Sequence, residues 1–255
     1  MLILDLYFVF IPSLLKNPFL QFAGLLAFFP LAFFVTKWVG LGGLKGIGLV
    51  FHRGWLKNFF LSFCIGFLFW LLMYGIQFLS GDLEWVGIRK SSEILMPLLI
   101  ILVGFFMGSF INDLIFRGYV ISFLQDKLPI GWVFTISIFI YALDDYWYAG
   151  FSLSNLLFSV ILGLSLTYAF YKTGSIWANT GIHYGLNVAY GLFFGMVGNP
   201  GTSIMIVKES VNQTTTIGAI SHYLIPAIMF LFLLIGMKFY HKNTNQNNNK
   251  LPFSA

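Results

Sequence analysis

The sequence predicts an all-α fold: a polytopic transmembrane bundle of about seven helices, or of eight if the short first apolar stretch also crosses. Of the 255 residues, 58% are hydrophobic and only 9% are charged, whereas about a quarter of the residues of an average soluble domain are charged. Seven apolar runs are long enough to span a membrane, since a span takes roughly 20 residues at a rise of about 1.5 Å each. Polar side chains within such runs are candidates for function, because lipid penalises them.

The apolar runs follow one another with short connections. They cover about Pro18–Thr36, Asn58–Leu79, Ile94–Phe116, Ile130–Tyr148, Leu153–Tyr171, Ile176–Val197 and Ile220–Tyr240. A further stretch, Met1–Leu15, is short for a span and carries Asp5; it lacks a basic n-region, so we expect no cleaved signal peptide. We expect one transmembrane domain over residues 1–240 and a disordered polar tail over residues 241–255.

The charged residues indicate orientation and exclude nucleic acid as a partner. With the connection Lys37–Lys57 placed inside, nine Lys and Arg side chains lie in the cytoplasm and four lie outside, which predicts a cytoplasmic C-terminus, in a bacterial plasma membrane. The net charge is +5, but the basic residues form no dense cluster. The expected partners are therefore membrane lipid and a membrane protein or peptide. The single Cys64 excludes a disulfide framework.

A first polar cluster ends the third run and contains Asn112, Asp113 and Arg117. Asp113 and Arg117 are four residues apart, with the acid first, so they meet on one helical face and neutralise each other. The spacing alone is equally compatible with a structural ion pair and with a functional site.

A second polar cluster, Asp144 and Asp145, lies near the end of the fourth run. Ser137, Tyr141 and Asp145 follow one another at four-residue spacing and share one helical stripe. We therefore expect Asp145 to face a cavity. For Asp144, an ordinary position at the membrane interface is the favoured interpretation.

A third cluster, Asn179, His183 and Asn187, is again spaced by four residues. The other three histidines lie in or beside loops, so His183 is the one histidine at membrane depth. Since His183 is flanked by two Asn on one face, we expect it to line a polar cavity.

The first of these stretches resembles the CPBP (Abi) family of intramembrane proteases, which includes the type II CAAX prenyl endopeptidases. The family's first motif is Glu-Glu-x-x-x-Arg, continued as Phe-Arg-Gly-Tyr. Here Phe116–Tyr119 matches, and Asn112 and Asp113 replace the two glutamates. The resemblance covers about Gly104–Ala189 and implies a family-like core over about residues 94–197.

Two further motifs continue the resemblance in the family's order. The second, Phe-x-x-x-His, corresponds to Tyr141 and Asp145, with both residues changed. The third, His-x-x-x-Asn, is intact as His183 and Asn187. The family implies a membrane endopeptidase in which the first glutamate and the second-motif histidine activate water, while the third-motif residues stabilise the oxyanion.

By position, Asn112 stands where that base belongs, and an amide does not accept a proton usefully near neutral pH. Asp145 replaces the imidazole, while Arg117, His183 and Asn187 keep the family's identities. The favoured interpretation is lost or reduced proteolysis, with a scaffold or regulatory role for a pseudoenzyme that binds a partner.

Three alternatives remain open from the sequence. The site could be rearranged, with Asp113 as base, or with Asp113, Asp145 and His183 holding a divalent metal such as zinc; no metal-spaced motif supports this, and no cofactor is expected. The acids and the histidine could instead form the proton relay of a transporter. Family association also suggests a bacteriocin self-immunity protein. Every version of the site requires Asn112, Asp113, Asp145, His183 and Asn187 to share one pocket.

Overall fold

The computed structural model describes residues 1–144, 150–210 and 214–244, and these form an all-α bundle with one small sheet. Within these ranges the α-helices are α1 (Leu2–Leu14), α2 (Pro18–Trp38), α3 (Trp55–Leu79), α4 (Ser91–Asp113), α5 (Val120–Leu124), α6 (Ile130–Asp144), α7 (Leu153–Thr173), α8 (Ile176–Phe194) and α9 (Thr216–Thr244). A π-helical segment, Leu114–Tyr119, joins α4 to α5, and short 3₁₀ helices cover Leu44–Ile47, Met196–Gly198 and Pro200–Thr202. The strands in the described part of the chain are β1 (Leu83–Ile88) and β2 (Met205–Glu209).

Five helical stretches in the described part of the chain are long and apolar enough to cross a membrane. They are Phe19–Trp38, Trp55–Leu79, Ser91–Leu124, Leu153–Thr173 and Thr216–Met237. Each corresponds to one of the seven predicted runs. The other two runs form α6 and α8, which are not among these five stretches. Helix α6 has only 15 residues, and α8 is less apolar because it contains Asn179, His183 and Asn187.

At the ends of the third and the last predicted runs, the observed helices are longer than predicted. The third run was expected to end at Phe116, but the helix continues through the π segment to Leu124. The last helix, α9, continues to Thr244, four residues into the predicted tail. The remaining tail, residues 245–255, lies outside the described ranges.

The chain divides into two compact units, each built from two separate segments. Unit 1 consists of Met1–Trp55 and Phe110–Asn179, and unit 2 consists of Leu56–Ser109 and Thr180–Ala255. The prediction of one domain over residues 1–240 stays a prediction. Asn112, Asp113, Arg117 and Asp144 belong to unit 1, so this unit holds two of the three polar clusters.

In unit 1, α1 packs against α2, and α6 packs against α7. The Tyr7 hydroxyl donates to the Gly24 carbonyl at 2.9 Å, which joins the first two helices. Gly163 of α7 faces Ile138 and Tyr141 of α6, and a Cβ at this glycine would lie 3.1 Å from the Ile138 side chain. The missing side chain therefore lets these two helices approach closely.

In unit 2, glycines on α8 allow this helix to pack closely against α3. A Cβ at Gly181 or at Gly185 would overlap the backbone of α3, so both helices meet with their backbones in close approach. Outside the spans, β1 and β2 pair antiparallel, with Leu83 opposite Glu209 and Ile88 opposite Met205.

Asp82 anchors the start of α9 to the connection between α3 and β1. Its Oδ1 accepts the Thr215 backbone N–H at 2.6 Å, and its Oδ2 accepts the hydroxyls of Thr215 at 2.8 Å and Ser80 at 2.7 Å. The Thr215 hydroxyl in turn accepts the Gly218 backbone N–H at 3.1 Å, as a helix cap does. The N–H of Thr215 holds the pKa of Asp82 below its ordinary value.

This arrangement predicts an acid-sensitive contribution to stability. Because the pKa of Asp82 is lower in the folded than in the unfolded protein, its carboxylate stabilises the fold above the unfolded pKa of about 3.9, and this stabilisation is lost as pH falls through the folded pKa. We expect Asp82→Asn to lower the melting temperature of detergent-purified protein at neutral pH and to flatten its acid-side decline. Glu84→Gln, at an exposed neighbour on β1, is the matched control. Equal acid-side slopes in wild type and Asp82→Asn would contradict the assignment.

Candidate functional site

The first polar cluster and Asp144 of the second form one buried chain of hydrogen bonds in unit 1. Arg117 Nη1 donates to Asp113 Oδ1 at 3.2 Å and to Asn112 Oδ1 at 3.3 Å. Asn112 Nδ2 donates to Asp144 Oδ2 at 3.2 Å. Asp113 and Arg117 have no exposed surface, and Asp144 and Asn112 are only 5% and 8% exposed. The predicted pairing of Asp113 with Arg117 is confirmed.

The π segment explains how one guanidinium reaches two neighbouring residues. In an α-helix, residue i+4 lies above residue i, which brings Arg117 to Asp113. In a π-helix, residue i+5 takes that place, and Arg117 is five residues after Asn112. The wider turn between Leu114 and Tyr119 thus brings the side chains of Asn112 and Asp113 within reach of the same guanidinium.

Gly118 fixes this segment against the 3₁₀ helix Leu44–Ile47. A Cβ on Gly118 would lie 2.5 Å from the carbonyl oxygen of Ile47, closer than any side chain tolerates. Ile47 itself is completely buried. Glycine is therefore required here for close backbone approach, and the residue after Arg117 sets the position of the π segment.

The predicted stripe on α6 faces the same cluster. The Arg117 guanidinium carbon lies 3.7 Å from the centre of the Tyr141 ring, which is a cation–π contact. Ser137 Oγ donates to the Phe116 carbonyl at 2.7 Å, so it satisfies a backbone group of the π segment. Asp145, the third member of the stripe, lies outside the described residues, and its position stays a prediction.

The Arg117 guanidinium is stabilised mainly by electrostatic contacts with a carboxylate and an aromatic ring. Its Nε and Nη2 atoms are buried and have no hydrogen-bond partner within the described ranges. The Asp113 carboxylate and the face of the Tyr141 ring therefore carry most of its stabilisation. A buried cation held in this way depends strongly on its one anionic partner.

The interfacial position expected for Asp144 is wrong. This carboxylate is buried and accepts from Asn112, because α6 ends with Asp144 against α4. Sequence reasoning also missed Asp5 of α1, which is only 6% exposed and lies close to Asp144. The available signal was an acid within an otherwise apolar stretch.

The third motif, His183 and Asn187, lies on the part of α8 that belongs to unit 2. His183 is 7% exposed, and Asn187 Nδ2 donates to Ser109 Oγ of α4 at 3.0 Å. Asn179, one turn before His183, is completely buried, and both atoms of its amide lack a hydrogen-bond partner among the described residues. The single pocket expected to join these residues to Asn112 and Asp113 stays a prediction.

A divalent metal does not fit the side chains that the structure describes. Within the described ranges, no three His, Cys, Asp or Glu side chains are grouped as metal ligands. Oδ1 of Asp113, the first candidate ligand, accepts from Arg117, so a metal ion there would meet a guanidinium. Of the proposed set of Asp113, Asp145 and His183, Asp145 lies outside the described residues.

A family model matches part of the chain. Residues 94–189 match the family model of type II CAAX prenyl endopeptidases, described as Rce1-like. Over these residues the chain is similar to that family. With its apolar helices, the chain is an integral membrane protein resembling CAAX proteases. No curated protein and no solved structure matches the chain.

The Rce1-like segment begins in α4 and ends in α8, so it contains every motif position from Asn112 to Asn187. It agrees with the extent of the resemblance seen in the sequence, about Gly104–Ala189. Asp5 lies close to Asp144, and the 3₁₀ helix Leu44–Ile47 packs against Gly118; both lie before this segment.

The close approach at Gly118 predicts a position-specific loss of stability. We expect Gly118→Ala to cost about 1–3 kcal/mol, because the added methyl group meets a backbone carbonyl that must move. Gly108→Ala, ten residues earlier in the same continuous helix, adds a methyl group with no atom within 4 Å; it should be neutral or stabilise by up to about 1 kcal/mol. Thermal unfolding in detergent compares the two. Similar effects at both positions would contradict the packing argument.

The buried ion pair predicts a larger effect. Arg117→Met removes the cation that is paired with the fully buried Asp113 and should destabilise the protein by about 3–5 kcal/mol. Replacing both residues, as Asp113→Leu with Arg117→Met, removes the charge together with its partner and should recover much of the loss. If the double variant is as unstable as the single one, the charge pair is not the source of the stability.

Proposed function

We propose that this integral membrane protein uses an Rce1-like scaffold to bind a membrane protein or peptide, and that its peptide hydrolysis is lost or strongly reduced. It is thus a pseudoenzyme with a scaffold or regulatory role. The observation that carries the proposal is the hydrogen bonding of Asn112, at the position of the family's base.

Hydrolysis of a peptide bond by water needs a group that takes a proton from the water as it attacks. Both ends of the Asn112 amide are already used: its Nδ2 donates to Asp144, and its Oδ1 accepts from Arg117. An amide in this position has no basic lone pair to offer to a water molecule. Asn112 therefore serves as a connector between an acid and a cation.

Asp113 is a poor substitute for the missing base. A base must reach the water whose proton it takes, within about 2.6–3.2 Å. The side chain of Asp113 is fully buried, and its Oδ1 accepts from Arg117. This counts against the rearranged site in which Asp113 acts as base.

Partner binding is supported by the residues that remain. By resemblance, His183 and Asn187 stand where the family places the hydrogen-bond donors for the oxyanion. Donors in these positions can hydrogen-bond a peptide carbonyl without hydrolysing it. A partner would thus be an extended peptide or an unwound membrane segment, while lipid surrounds the bundle. The excess of Lys and Arg on one side favours a cytoplasmic C-terminus in a bacterial plasma membrane.

A cleavage assay tests the proposal. Purified protein in proteoliposomes is incubated with a prenylated CAAX peptide and with an unprenylated transmembrane peptide, and products are measured by mass spectrometry. We expect wild type to release no more product than His183→Ala. In a separate measurement, fluorescence anisotropy should show binding of one of these peptides to wild type and weaker binding to His183→Ala.

Cleavage by the wild-type protein would contradict the proposal. Cleavage by wild type that is abolished in His183→Ala and in Asp113→Ala would overturn the loss of catalysis and support the rearranged site. Asn112→Glu combined with Asp145→His restores the family's residues at both changed positions. Cleavage gained in that double variant only, with wild type inert, would trace the loss to these two substitutions.

A further inference from the structure

Strands β1 and β2 form a small sheet at the ends of helices of unit 2. Three residues separate β1 from the end of α3 at Leu79, and two residues separate it from the start of α4 at Ser91. Both helices belong to stretches that are long and apolar enough to cross a membrane. Because β1 is attached to such a helix at each end, the sheet lies at the level where these helices leave the membrane.

Hydrogen bonds hold the sheet in this position at both ends. At the start of β1, the Asp82 carbonyl accepts the Ser210 backbone N–H at 2.9 Å. At the other end, the Arg89 side chain donates through Nε to the Ser203 carbonyl at 2.8 Å and through Nη2 to the Pro200 carbonyl at 3.1 Å. The sheet is therefore a fixed element of unit 2, and it cannot move away from the helix ends without breaking these bonds.

A bulge in β1 collects apolar side chains on one face of the sheet. Alternate residues of a strand point to opposite faces, so Trp85 and Ile88 would lie on opposite faces of a regular strand. The register shifts between Trp85 and Gly87, which leaves Val207 opposite Trp85 and Met205 opposite Ile88. Val207 and Met205 are two residues apart and share a face. We call this the apolar face, and it consists of Leu83, Trp85, Ile88, Met205 and Val207.

The two faces of the sheet differ in chemistry. On the apolar face, Trp85 is 49% exposed and Ile88 is 59% exposed. The opposite face carries Ile206 together with Glu84 and Lys208, which lie opposite each other in the register and are both exposed. The sheet is thus amphipathic, with a large indole ring on its less polar side.

The apolar face continues the exposed apolar surface of the neighbouring helices. Leu79, the last residue of α3, is 91% exposed, and Leu95 and Met96 in the first two turns of α4 are 68% and 66% exposed. In an integral membrane protein such side chains of spanning helices contact lipid. Trp85 lies between them in the chain, and tryptophan is enriched where a membrane meets water. This continuity favours lipid as the material that covers the face.

The charges of the sheet favour an uncharged partner surface. Within the two strands, no Lys or Arg lies on the apolar face, because Lys208 points to the opposite face. The register adds one charged residue to the apolar side, the acid Glu209 at the end of β2. The apolar face therefore has no cation with which to attract a phosphate group or an acidic peptide.

We propose that the sheet is a membrane-surface anchor whose apolar face rests on the bilayer, with Trp85 and Ile88 at the boundary between head groups and acyl chains. The sheet lies outside residues 94–189, so the family match assigns it no role. The anchor does not depend on whether the protein cleaves or binds peptides. A second copy of the chain over the same face, or a face that stays in water, are the competing arrangements.

Fluorescent labels on the two faces test the anchor. In a Cys64→Ser background, which removes the single natural cysteine, Ile88→Cys labels the apolar face and Lys208→Cys, the matched control, labels the opposite face. Each carries an environment-sensitive dye in phosphatidylcholine nanodiscs, and quenching by nitroxide lipid is compared with quenching by iodide. We expect the dye at position 88 to emit at shorter wavelength, with more quenching by the lipid and less by iodide than at position 208. Exchanging part of the phosphatidylcholine for phosphatidylglycerol should change neither result, since the face carries no cation.

Two outcomes at position 88 would overturn the anchor. Quenching by iodide as strong as at position 208 would place the face in water, and protection from both quenchers would show that protein covers it. Trp85→Phe gives an independent reading if a labelled variant fails to fold, because the difference between its fluorescence and that of the wild type isolates Trp85. The proposal requires brominated lipid to quench this difference, and a difference that brominated lipid leaves unchanged would contradict it.

Discussion

The buried charge of Arg117 is the constraint to which the surrounding structure is fitted. A guanidinium with no exposed surface in an apolar bundle must be balanced where it stands. The π turn places Asn112 and Asp113 beneath it, and the Tyr141 ring faces its planar group. Gly118 lets the turn lie against a neighbouring backbone carbonyl. The contacts that hold the cation also occupy Asn112 and Oδ1 of Asp113, and this is the basis of the proposed loss of hydrolysis.

Asn112 and Asp144 fit each other in a way that the family's residue would not. A glutamate at position 112 would accept from Arg117 as the amide does, but its carboxylate could not donate to Asp144. It would also add a negative charge beside Asp113, Asp144 and Asp5, with Arg117 as the cation in the network. The Asn112 amide accepts a hydrogen bond from Arg117 and donates one to Asp144 without adding a charge. Asn112 is therefore part of a matched set, and its exchange for glutamate alone would disturb the contacts with both of its partners.

The sequence predicted what depends on composition and on regular helical spacing. The apolar runs predicted the helices, and the four-residue spacing of Asp113 and Arg117 predicted their ion pair. The π segment was not predicted, because one extra residue in a turn leaves no periodic signature in an apolar run. The burial of Asp144 was missed because Asn112, which donates to it, and Asp5, which lies close to it, are distant in sequence. The strands β1 and β2 pair across more than 100 residues, which short-range patterns do not reveal.

The network around Arg117 extends beyond the segment that matches the family. Residues 94–189 supply Asn112, Asp113, Arg117 and Asp144, but Ile47 contributes the carbonyl against which the π turn packs. Asp5 of α1 is also buried and lies close to Asp144. Residues that precede the matched segment are thus structural partners of the site. The site has to be considered for unit 1 as a whole, because Ile47, Gly118 and the network around Arg117 belong to that unit.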